Sequence, residues 1–352
     1  MSKLLRASLG LLLAVALVGI VADQWLQHAF SKPGPSHAKT RVEIPAGSSV
    51  RSTFGLLAQR GVLSGPRLVE LALRARGRHP KVKAGTYDFP AGASAAEVVR
   101  LMEQGAVVLE QLTVVEGSTF AALRRALEAH PAVDATLKGK SDAEAMIAIG
   151  SAGQLPEGRF FPDTYRFAAR TPDVDILKMA HVSMRRALDD AWKRHREGLP
   201  LRSADEALIL ASIVEKETGL AAERAKIAGV FISRLRIGMR LQSDPTVIYG
   251  MGVRFDGDIR TRDLTTDTPY NTYTRAGLPP TPIALPGKES LMAVAQPEET
   301  GALYFVAIGD GTGAHYFSKT LEEHNEAVRR YLARLRNQAG AAARPARTSG
   351  EP

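Results

Sequence analysis

The sequence predicts an α+β protein with a single membrane-spanning helix near its amino terminus, a small α+β module and a larger domain of mixed helices and strands. Three observations lead to this fold class. Residues Leu4 to Ala22 are apolar except for Arg6 and Ser8, a strand, turn and helix pattern recurs between residues 41 and 125, and helical periodicity alternates with turn-rich segments in the rest of the 352 residues. An apolar content of 45% is sufficient for the cores of two modest domains.

The amino-terminal apolar segment is long enough to cross a bilayer. Lys3 and Arg6 precede the uncharged run Ala7 to Ala22, which favours insertion with the amino terminus in the cytoplasm and the bulk of the chain exported. The run is on the short side, so a cleaved signal peptide is the alternative. Ile20, two residues before the end of the run, is not the small residue that cleavage requires. We therefore expect residues 1–30 to form an uncleaved anchor and its flank.

The net charge of +9 raises the question of nucleic-acid binding. The cationic residues are spread along the chain, and no basic run is interleaved with aromatic residues. We therefore expect no nucleic acid as a partner. For an exported chain, an anionic membrane surface or an acidic cell-wall polymer is the better match.

The sequence has no cysteine, so the folded part relies on its core without disulfides, and a lipidated cysteine cannot be the anchor. The eight histidines are scattered, without HExxH or paired His/Cys spacing, and neither a GxSxG motif nor a phosphate-binding loop is present. We expect no metal and no cofactor. His315 and His324 are expected to be surface or structural residues rather than ligands.

A proline-, glycine- and serine-containing stretch, residues 31–40, is predicted to link the anchor to the first folded unit. Three segments then read as strand, tight turn and a helix that begins at a hydroxyl cap: Ile44 to Ser49, Phe89 to Ser94 and Val115 to Thr119. Stacked units of this kind predict a compact module over residues 41–125 that binds or positions a ligand. The alternative is simple reuse of common turn chemistry.

The larger domain is predicted from about residue 126 to 336. Its clearest elements are helices at Asp173 to Trp192, Ser203 to Gly219, Ala222 to Leu235 and Leu321 to Leu335, with strands around Tyr304 to Ile308 and Tyr316 to Phe317. The segment between the third helix and the first strand is expected to be rich in turns. Residues 337–352, which are rich in Ala, Arg and Pro, are predicted to be a disordered tail.

The second of these helices places an acidic group where apolar residues should be buried. Ser203 and Glu206 predict a capping box, and Gly219 is expected to end the helix. At about 100° per residue, one face carries Leu210, Ile213, Val214 and Glu217. Glu215 falls at the edge of that face, so Glu217 is expected to be the more desolvated glutamate. Burial raises the pKa of a carboxyl group, as a general acid requires, although a surface salt bridge is the alternative interpretation.

Three turn segments combine polar residues with aromatic rings, a composition suited to a sugar-binding wall. They are LPEGRFFPDTY, LQSDPT and PYNTY. The candidate substrate-binding residues in them are Glu157, Asp163, Gln242, Asp244, Asn271 and Tyr273. Each segment alone is also compatible with an ordinary turn.

Four blocks occur in order: LPEGRFFPDTYRF, ASIVEKETG, VFISRLRIGMRLQSDPTVIYGMG and TPYNTYTRAGLPPTPIALPG. Together they closely resemble the signature blocks of the MltG family, the endolytic murein transglycosylases also called YceG-like proteins. The resemblance extends from the membrane helix to about Leu335. It implies an inner-membrane anchor, a LysM-like module over residues 41–125 and a periplasmic catalytic domain over residues 126–336.

The resemblance further implies cleavage of the β-1,4 bond between N-acetylmuramic acid and N-acetylglucosamine in nascent peptidoglycan strands. The products would carry 1,6-anhydro ends, and glycan growth would stop. Peptidoglycan synthases are the protein partners expected from this role. The catalytic glutamate of the family maps onto Glu217, the residue that the helical face also selects. Two alternatives remain: a muramidase-type hydrolase with a second carboxylate, chosen from Glu157, Asp163 and Asp244, and a non-catalytic glycan-binding scaffold for cell-wall synthases.

Overall fold

Residues 3–342 are described by the structure, a computed structural model, with side chains described for residues 11–338 except 15 and 22. The architecture mixes helices and strands and divides into two units. The first unit holds the chain up to Glu110 together with Arg166–Thr171, and the second holds Gln111–Tyr165 and the chain from Pro172 onward. The predicted module boundary at residue 125 therefore lies inside the second unit.

The first unit begins with the long helix α1, Lys3–Ser31. Within it, Leu11–Ser31 is long and apolar enough to cross a membrane, and the most apolar stretch of that segment is not buried inside the protein. The elements that follow are β1 Thr40–Ile44, α2 Val50–Gln59, α3 Pro66–Ala75, β2 Gly85–Phe89 and α4 Ala95–Gln104. Strands β1 and β2 pair antiparallel, with Thr40 opposite Phe89 and Ile44 opposite Gly85.

One apolar core holds this unit together, and it includes the end of α1. Phe30 of α1 is buried with residues from both strands and from α2, α3 and α4. The predicted linker, residues 31–40, is also attached to the unit, because the Gly34 amide donates to Gly92 O at 3.1 Å and the Gly92 amide donates to Ser36 O at 2.7 Å. The segment is thus part of the folded unit rather than a free spacer.

The predicted turn and cap pattern is confirmed at all three places. Ser49, Ser94 and Thr119 each accept a hydrogen bond from the amide three residues later. Gly47, Gly92 and Gly117 adopt positive φ in the preceding turns, a conformation that costs glycine little. The third of these patterns opens a helix of the second unit.

Strand β3, Leu109–Thr113, pairs with β5, Thr164–Ala168, and the short β4, Val133–Asp134, pairs with β6, Thr171–Pro172. The second unit contains α5 Phe120–Ala129, α6 Asp142–Ala148, α7 Asp173–Lys193, α8 Ala204–Glu217, α9 Ala221–Arg236, α10 Asp244–Met251, α11 Thr261–Thr265, α12 Lys288–Ala295 and α13 Leu321–Ala342. A hairpin of β7, Tyr304–Ala307, and β8, His315–Ser318, precedes α13.

Helices α7, α8, α9 and α12 surround the core of the second unit. The predicted apolar face of α8 is confirmed, because Leu210, Ile213 and Val214 are fully buried. They pack in one cluster with Ile227 and Phe231 of α9 and with residues of α12. The burial of this face fixes the position of α8 and, with it, of the residues at its carboxyl end.

Some local predictions differ from the structure. Helices α10, α11 and α12 occupy a region expected to be turns, because short apolar stretches such as SLMAVA bury against α8 and α9. Only half of the predicted capping box forms: Ser203 Oγ accepts from the Glu206 amide, but the Glu206 carboxylate accepts from the Arg202 amide instead. Helix α8 ends at Glu217, where Thr218 adopts an extended backbone, before the predicted stop at Gly219.

The final helix runs to Ala342, beyond the predicted start of the disordered tail at residue 337. Strong helix formers such as Gln338 and the alanines that follow continue the helical pattern. The rest of the predicted tail, residues 343–352, lies outside the described residues.

Replacement of Gly229 by alanine tests the tight packing around α9. Alanine is favoured over glycine by about 1 kcal/mol in a helix interior. At Gly229, however, a Cβ atom would overlap the carbonyl oxygen of Glu298 and lie 2.8 Å from its carbonyl carbon. We expect Gly229→Ala to lower the free energy of unfolding by about 1–3 kcal/mol. Chemical denaturation of the full chain in detergent measures this change.

Gly55→Ala in α2 is the matched control, because a Cβ at Gly55 has no atom within 4 Å. It should leave stability unchanged or raise it by about 0.5–1 kcal/mol. Stabilisation by both substitutions would contradict the packing described around α9.

Candidate active site

An open cleft of about 450 Å³ in the second unit has Glu217 in its wall. Six parts of this unit contribute to it: the ends of α8 and α9, the segment that leads into α10, the loop after α11, the β7 strand and the first turn of α13. The lining residues are Glu217, Arg234, Gln242, Asp244, Tyr273, Tyr304, Phe305, Leu321, His324 and Asn325. The cleft combines aromatic rings with amides and charged groups.

Glu217 reaches the cleft because it is the last residue of α8. Ile213 and Val214, one turn earlier, are fully buried in the core, so the same face delivers the Glu217 side chain to the edge of that core. The chain then leaves the helix in an extended conformation at Thr218. The carboxyl group therefore stands between apolar packing on one side and the open cleft on the other.

Burial raises the pKa of Glu217 from 4.5 to about 7. The hydrogen bond from Ser243 Oγ to Glu217 Oε1, at 2.5 Å, acts in the opposite direction. The negative charge of Asp244 raises the pKa further, and the positive charge of Arg234 lowers it. A carboxyl group with this pKa can both give and accept a proton near neutral pH.

Glu215 differs from Glu217 in its partners rather than in its burial. The Glu215 side chain is only 7% exposed. Burial therefore does not distinguish the two glutamates in the way that the sequence predicted. Glu215 Oε2 accepts hydrogen bonds from the Gly287 amide at 2.9 Å and from Ser290 Oγ at 2.7 Å. Its other oxygen lies 4.0 Å from the Arg224 guanidinium. Glu215 therefore ties α8 to the start of α12, whereas Glu217 faces the cleft.

Ser243 is held toward Glu217 by a loop on the other side of the cleft. The Ser243 amide donates to Thr272 Oγ1 at 3.0 Å, and the Gln242 amide donates to Thr272 O at 3.1 Å. Gln242 has a φ of +50°, a left-handed conformation that turns the chain sharply before α10. Asp244, the first residue of α10, accepts a hydrogen bond from the Tyr273 hydroxyl at 2.6 Å. The two segments thus form one wall of the cleft.

Arg234 supplies a positive charge that cannot move freely. Its guanidinium donates to Leu303 O at 2.6 Å and to Leu241 O at 2.5 Å, and it lies 5.4 Å from the centre of the Tyr304 ring. Burial lowers the pKa of Arg234 from its usual value, and no carboxylate of the described residues forms an ion pair with it. Its charge is therefore available to the cleft.

Of the six predicted substrate-binding residues, three lie in the cleft and three lie elsewhere. Gln242, Asp244 and Tyr273 line it together with Glu217. The Glu157 side chain is buried against the first residue of α5. It accepts hydrogen bonds from the Phe120 amide at 2.9 Å and from the Tyr249 hydroxyl at 3.1 Å. Asp163 is exposed and accepts from the Thr164 amide.

Asn271 is buried and organises the loop behind the cleft. Its side-chain amide donates to the carbonyl oxygens of Asp263, Leu264 and Thr266, and its Oδ1 accepts from the Tyr273 amide. All of these hydrogen bonds join the Asn271 side chain to backbone atoms. Its effect on the site is therefore to set the position of Tyr273.

Sequence reasoning missed Ser243, Arg234 and the residues that the hairpin and α13 contribute. The Thr320 cap gave a signal for part of this set, because it places Leu321, His324 and Asn325 on one face of the first turn of α13. His324 stacks on Tyr304 with ring centres 5.1 Å apart, and burial lowers its pKa. Among residues 11–338 with described side chains, no cluster of acidic, histidine or cysteine residues suits a metal ion.

The YceG-like family model matches residues 42–330, which is most of the chain. The chain belongs to the YceG-like family. A Bacillus subtilis relative named endolytic murein transglycosylase is 31% identical over 318 residues, which cover 85% of this chain and 86% of the relative. A Streptococcus pneumoniae relative with the same name is 26% identical over 327 residues. These residues cover 83% of this chain and 58% of the relative.

The fold is also similar to a solved structure of this family. The crystal structure of a yceG-like protein from Listeria monocytogenes aligns with a TM-score of 0.52 at 30% sequence identity. The alignment covers 83% of this chain and 99% of the Listeria chain. The matched region of the YceG-like family model includes every residue that lines the cleft.

Glu217→Gln should change the pH dependence of stability. Because folding raises the pKa of Glu217 from 4.5 to about 7, the folded state keeps a proton that the unfolded state loses in this interval. Stability is therefore lost as pH rises through this window. We expect Glu217→Gln to match the wild type near pH 4 and to be more stable at pH 8, by about 3 kcal/mol. Denaturant unfolding at the two pH values measures the difference.

Glu215→Gln is the control on the same helix. Glu215 Oε2 accepts two hydrogen bonds, and Arg224 lies nearby, so the neutral amide should destabilise the protein at pH 8 by about 1–3 kcal/mol. Equal effects of the two substitutions would show that the environments of the two glutamates do not differ as described.

Proposed function

We propose that this protein is a lytic transglycosylase that cleaves peptidoglycan, with Glu217 as its catalytic acid and base. The observation that carries the proposal is the carboxyl group of Glu217, whose pKa is raised to about 7 in the wall of an open cleft. The names of the Bacillus and Streptococcus relatives support murein as the substrate. The position of Glu217 at the end of the buried face of α8 supports its role.

The reaction requires one carboxyl group that acts twice. Protonated Glu217 donates its proton to the oxygen of the β-1,4 bond between N-acetylmuramic acid and N-acetylglucosamine, and the bond to C1 of the muramic acid breaks. The resulting carboxylate then accepts the proton of the muramic C6 hydroxyl while that oxygen bonds to C1. The proton returns to Glu217, and the product has a 1,6-anhydro end without consumption of water. A pKa near 7 suits both steps.

The neighbours of Glu217 support this exchange of roles. The Ser243 hydroxyl donates to the carboxylate formed after the first step, and the charge of Arg234 favours the same state. Both interactions oppose the effect of burial, so the group is not locked in its acid form. Tyr273, Tyr304 and Phe305 give the cleft an aromatic lining that can contact the apolar faces of sugar rings. Gln242 and Asn325 provide amides for sugar hydroxyls.

The first unit is proposed to anchor and position the enzyme. In it, the order β1, α2, α3, β2 with antiparallel strands supports a LysM-like module within residues 41–125 that holds glycan. Helix α1, within residues 1–30, is proposed to cross the inner membrane, with the amino terminus in the cytoplasm and the catalytic region in the periplasm. Cleavage of nascent strands there would terminate glycan elongation beside a synthase.

A muramidase-type hydrolase is the second candidate, because a second carboxylate, Asp244, lines the same cleft. In a hydrolase, Asp244 would activate water or stabilise the sugar cation. The hydrogen bond that Asp244 accepts from Tyr273 favours a positioning role instead. The products distinguish the two reactions.

Digestion of uncrosslinked glycan strands by the purified full chain should release fragments that end in 1,6-anhydro muramic acid. Mass spectrometry identifies them because they are one water molecule lighter than hydrolysis products. Glu217→Gln should lose at least about 100-fold in rate, since an amide cannot transfer the proton. Asp163→Asn is the matched control, because Asp163 is an exposed carboxylate outside the cleft, and we expect it to retain wild-type activity.

Reducing-end muramic acid in the products would reject the transglycosylase and support the hydrolase. Undiminished activity of folded Glu217→Gln would remove Glu217 from the mechanism. If the wild type cleaved nothing while Glu217→Gln retained cellular activity, the glycan-binding scaffold would be the correct function.

Ser243→Ala should shift the pH profile of the reaction. The first step needs protonated Glu217, so kcat/KM should fall as pH rises through about 7. Ser243 lowers the pKa of Glu217 through its hydrogen bond, so its loss should move this fall to higher pH. Measurement of kcat/KM between pH 5 and about pH 9 detects the shift. A shift to lower pH would contradict the described contact.

A further inference from the structure

Helix α3 has a second apolar stripe that faces away from the core of the first unit. Its buried face contains Val69, Ala72 and Leu73. Leu68 and Leu71 are nevertheless 57% and 64% exposed, and Ala75 is exposed beside them. Spacings of three and four residues place these three side chains along one side of the helix. An exposed apolar stripe of this kind indicates an interaction surface.

The stripe borders an apolar groove that α1 shares with α3. The groove has a volume of about 560 Å³. From α1 it receives Trp25, Leu26, Ala29 and Phe30, and from α3 it receives the stripe together with Val69 and Ala72. Trp25 also borders a second apolar surface with Leu17, Val18 and Val21. The apolar surface of the candidate membrane span is thus continuous with the α3 stripe.

The position of α3 relative to the span is fixed by contacts inside the first unit. Arg76, at the end of α3, lies 3.1 Å from Asp23 of α1, and its guanidinium lies 5.6 Å from the centre of the Phe30 ring. Phe30 itself is buried in the core of the unit. The backbone hydrogen bond from Gly34 to Gly92 continues this attachment past the end of α1.

These contacts keep α3 close to the surface of a bilayer that α1 crosses. Asp23 is the first charged residue after the apolar run and therefore marks the edge of the hydrocarbon region. Trp25 follows it, as an aromatic residue at a membrane interface does. From Asp23 to Ser31 the helix rises only about 12 Å, and the headgroup layer is about 5–7 Å thick. An element packed beside Trp25 and Phe30 cannot lie far from the bilayer surface.

The charges beside the stripe match an anionic surface. Arg67 and Arg74 lie two turns apart along one border of the stripe, and Arg51 of α2 lies next to them. Arg51 and Arg74 share Glu70, at 3.2 and 2.7 Å. Arg67 is exposed, and the described side chains offer it no ion-pair partner. Arginine beside an apolar helix face is typical of helices that lie in the membrane interface.

We propose that α3 is an interfacial membrane helix whose stripe of Leu68, Leu71 and Ala75 inserts into the bilayer beside α1. Acyl chains fill the groove between the two helices, and Arg67 contacts the phosphate groups of anionic lipids. The proposal rests on the proposed membrane anchoring by α1 and is independent of the chemistry at Glu217. The first unit then lies against the membrane surface instead of swinging above it.

The absence of cysteine from the sequence permits a direct test with single-cysteine variants of the full chain in vesicles that contain phosphatidylglycerol. Leu71→Cys carries an environment-sensitive fluorophore, and the vesicles carry lipids with a spin-labelled acyl chain as quencher. We expect several-fold stronger quenching at position 71 than at position 74, where Arg74→Cys reports the polar border. Aqueous iodide should show the opposite order. Leu71 is exposed, so the substitution should not disturb the core.

Leu17→Cys separates failure of this proposal from failure of the anchor, because Leu17 is a lipid-facing position if α1 spans the membrane. Quenching at position 17 but not at position 71, with iodide reaching position 71, would show a spanning α1 and overturn the interfacial helix. Protection of position 71 from iodide without lipid quenching would show a second copy on the stripe and also overturn it. No quenching at position 17 would reject both proposals.

Arg67→Gln tests the contribution of anionic lipid. In the Leu71→Cys background it should reduce the gain in quenching that phosphatidylglycerol gives over purely neutral vesicles, by several-fold. An unchanged gain would overturn the contact between Arg67 and phosphate. Circular dichroism of each variant verifies that the helices remain folded.

Discussion

The burial of the apolar face of α8 against α9 and α12 is the constraint on which the candidate site depends. Each buried aliphatic side chain in this interface contributes about 1.5–3 kcal/mol, so the orientation of α8 is strongly fixed. Because Glu217 is the final residue of the helix, the same packing sets the depth of its carboxyl group. The unfavourable desolvation of Glu217 is thus imposed by favourable packing one turn earlier. The fold thus stabilises the structure of the site while it disfavours the charged form of Glu217.

The opposite wall depends on hydrogen bonds rather than apolar packing. Asn271 gathers three carbonyl oxygens, and Thr272 binds the segment that carries Gln242 and Ser243. Ser243 thereby reaches Glu217 although the two residues lie 26 positions apart. The cleft therefore has one wall fixed by a hydrophobic core and another fixed by a polar network. Glu217, the proposed acid and base, lies where the two walls meet.

The sequence predicted those features that depend on local pattern. The α8 face, the caps at Ser49, Ser94 and Thr119, and the position of Glu217 all follow from helical spacing and turn chemistry. Arg234 and Ser243 could not be predicted in this way, because their roles come from partners on distant segments. Glu157 was predicted to bind substrate because its segment is rich in aromatic residues. In the structure its carboxyl group instead accepts a hydrogen bond from the first amide of α5. Tertiary contacts decide which polar residue of a motif faces a cleft.

Arg234 joins structure and charge in a single side chain. It holds the end of α9 to the carbonyl oxygens of Leu241 and Leu303, and these lie just before Ser243 and Tyr304 on two different borders of the cleft. A lysine has one ammonium group and cannot reproduce such a fork, although it would keep the charge. The electrostatic field in the cleft and the spacing of its borders thus depend on the same side chain. A substitution of exposed Gln242 or Asn325 would change the rim of the cleft, whereas a substitution of Arg234 would change both the charge beneath it and the contacts that hold two of its borders.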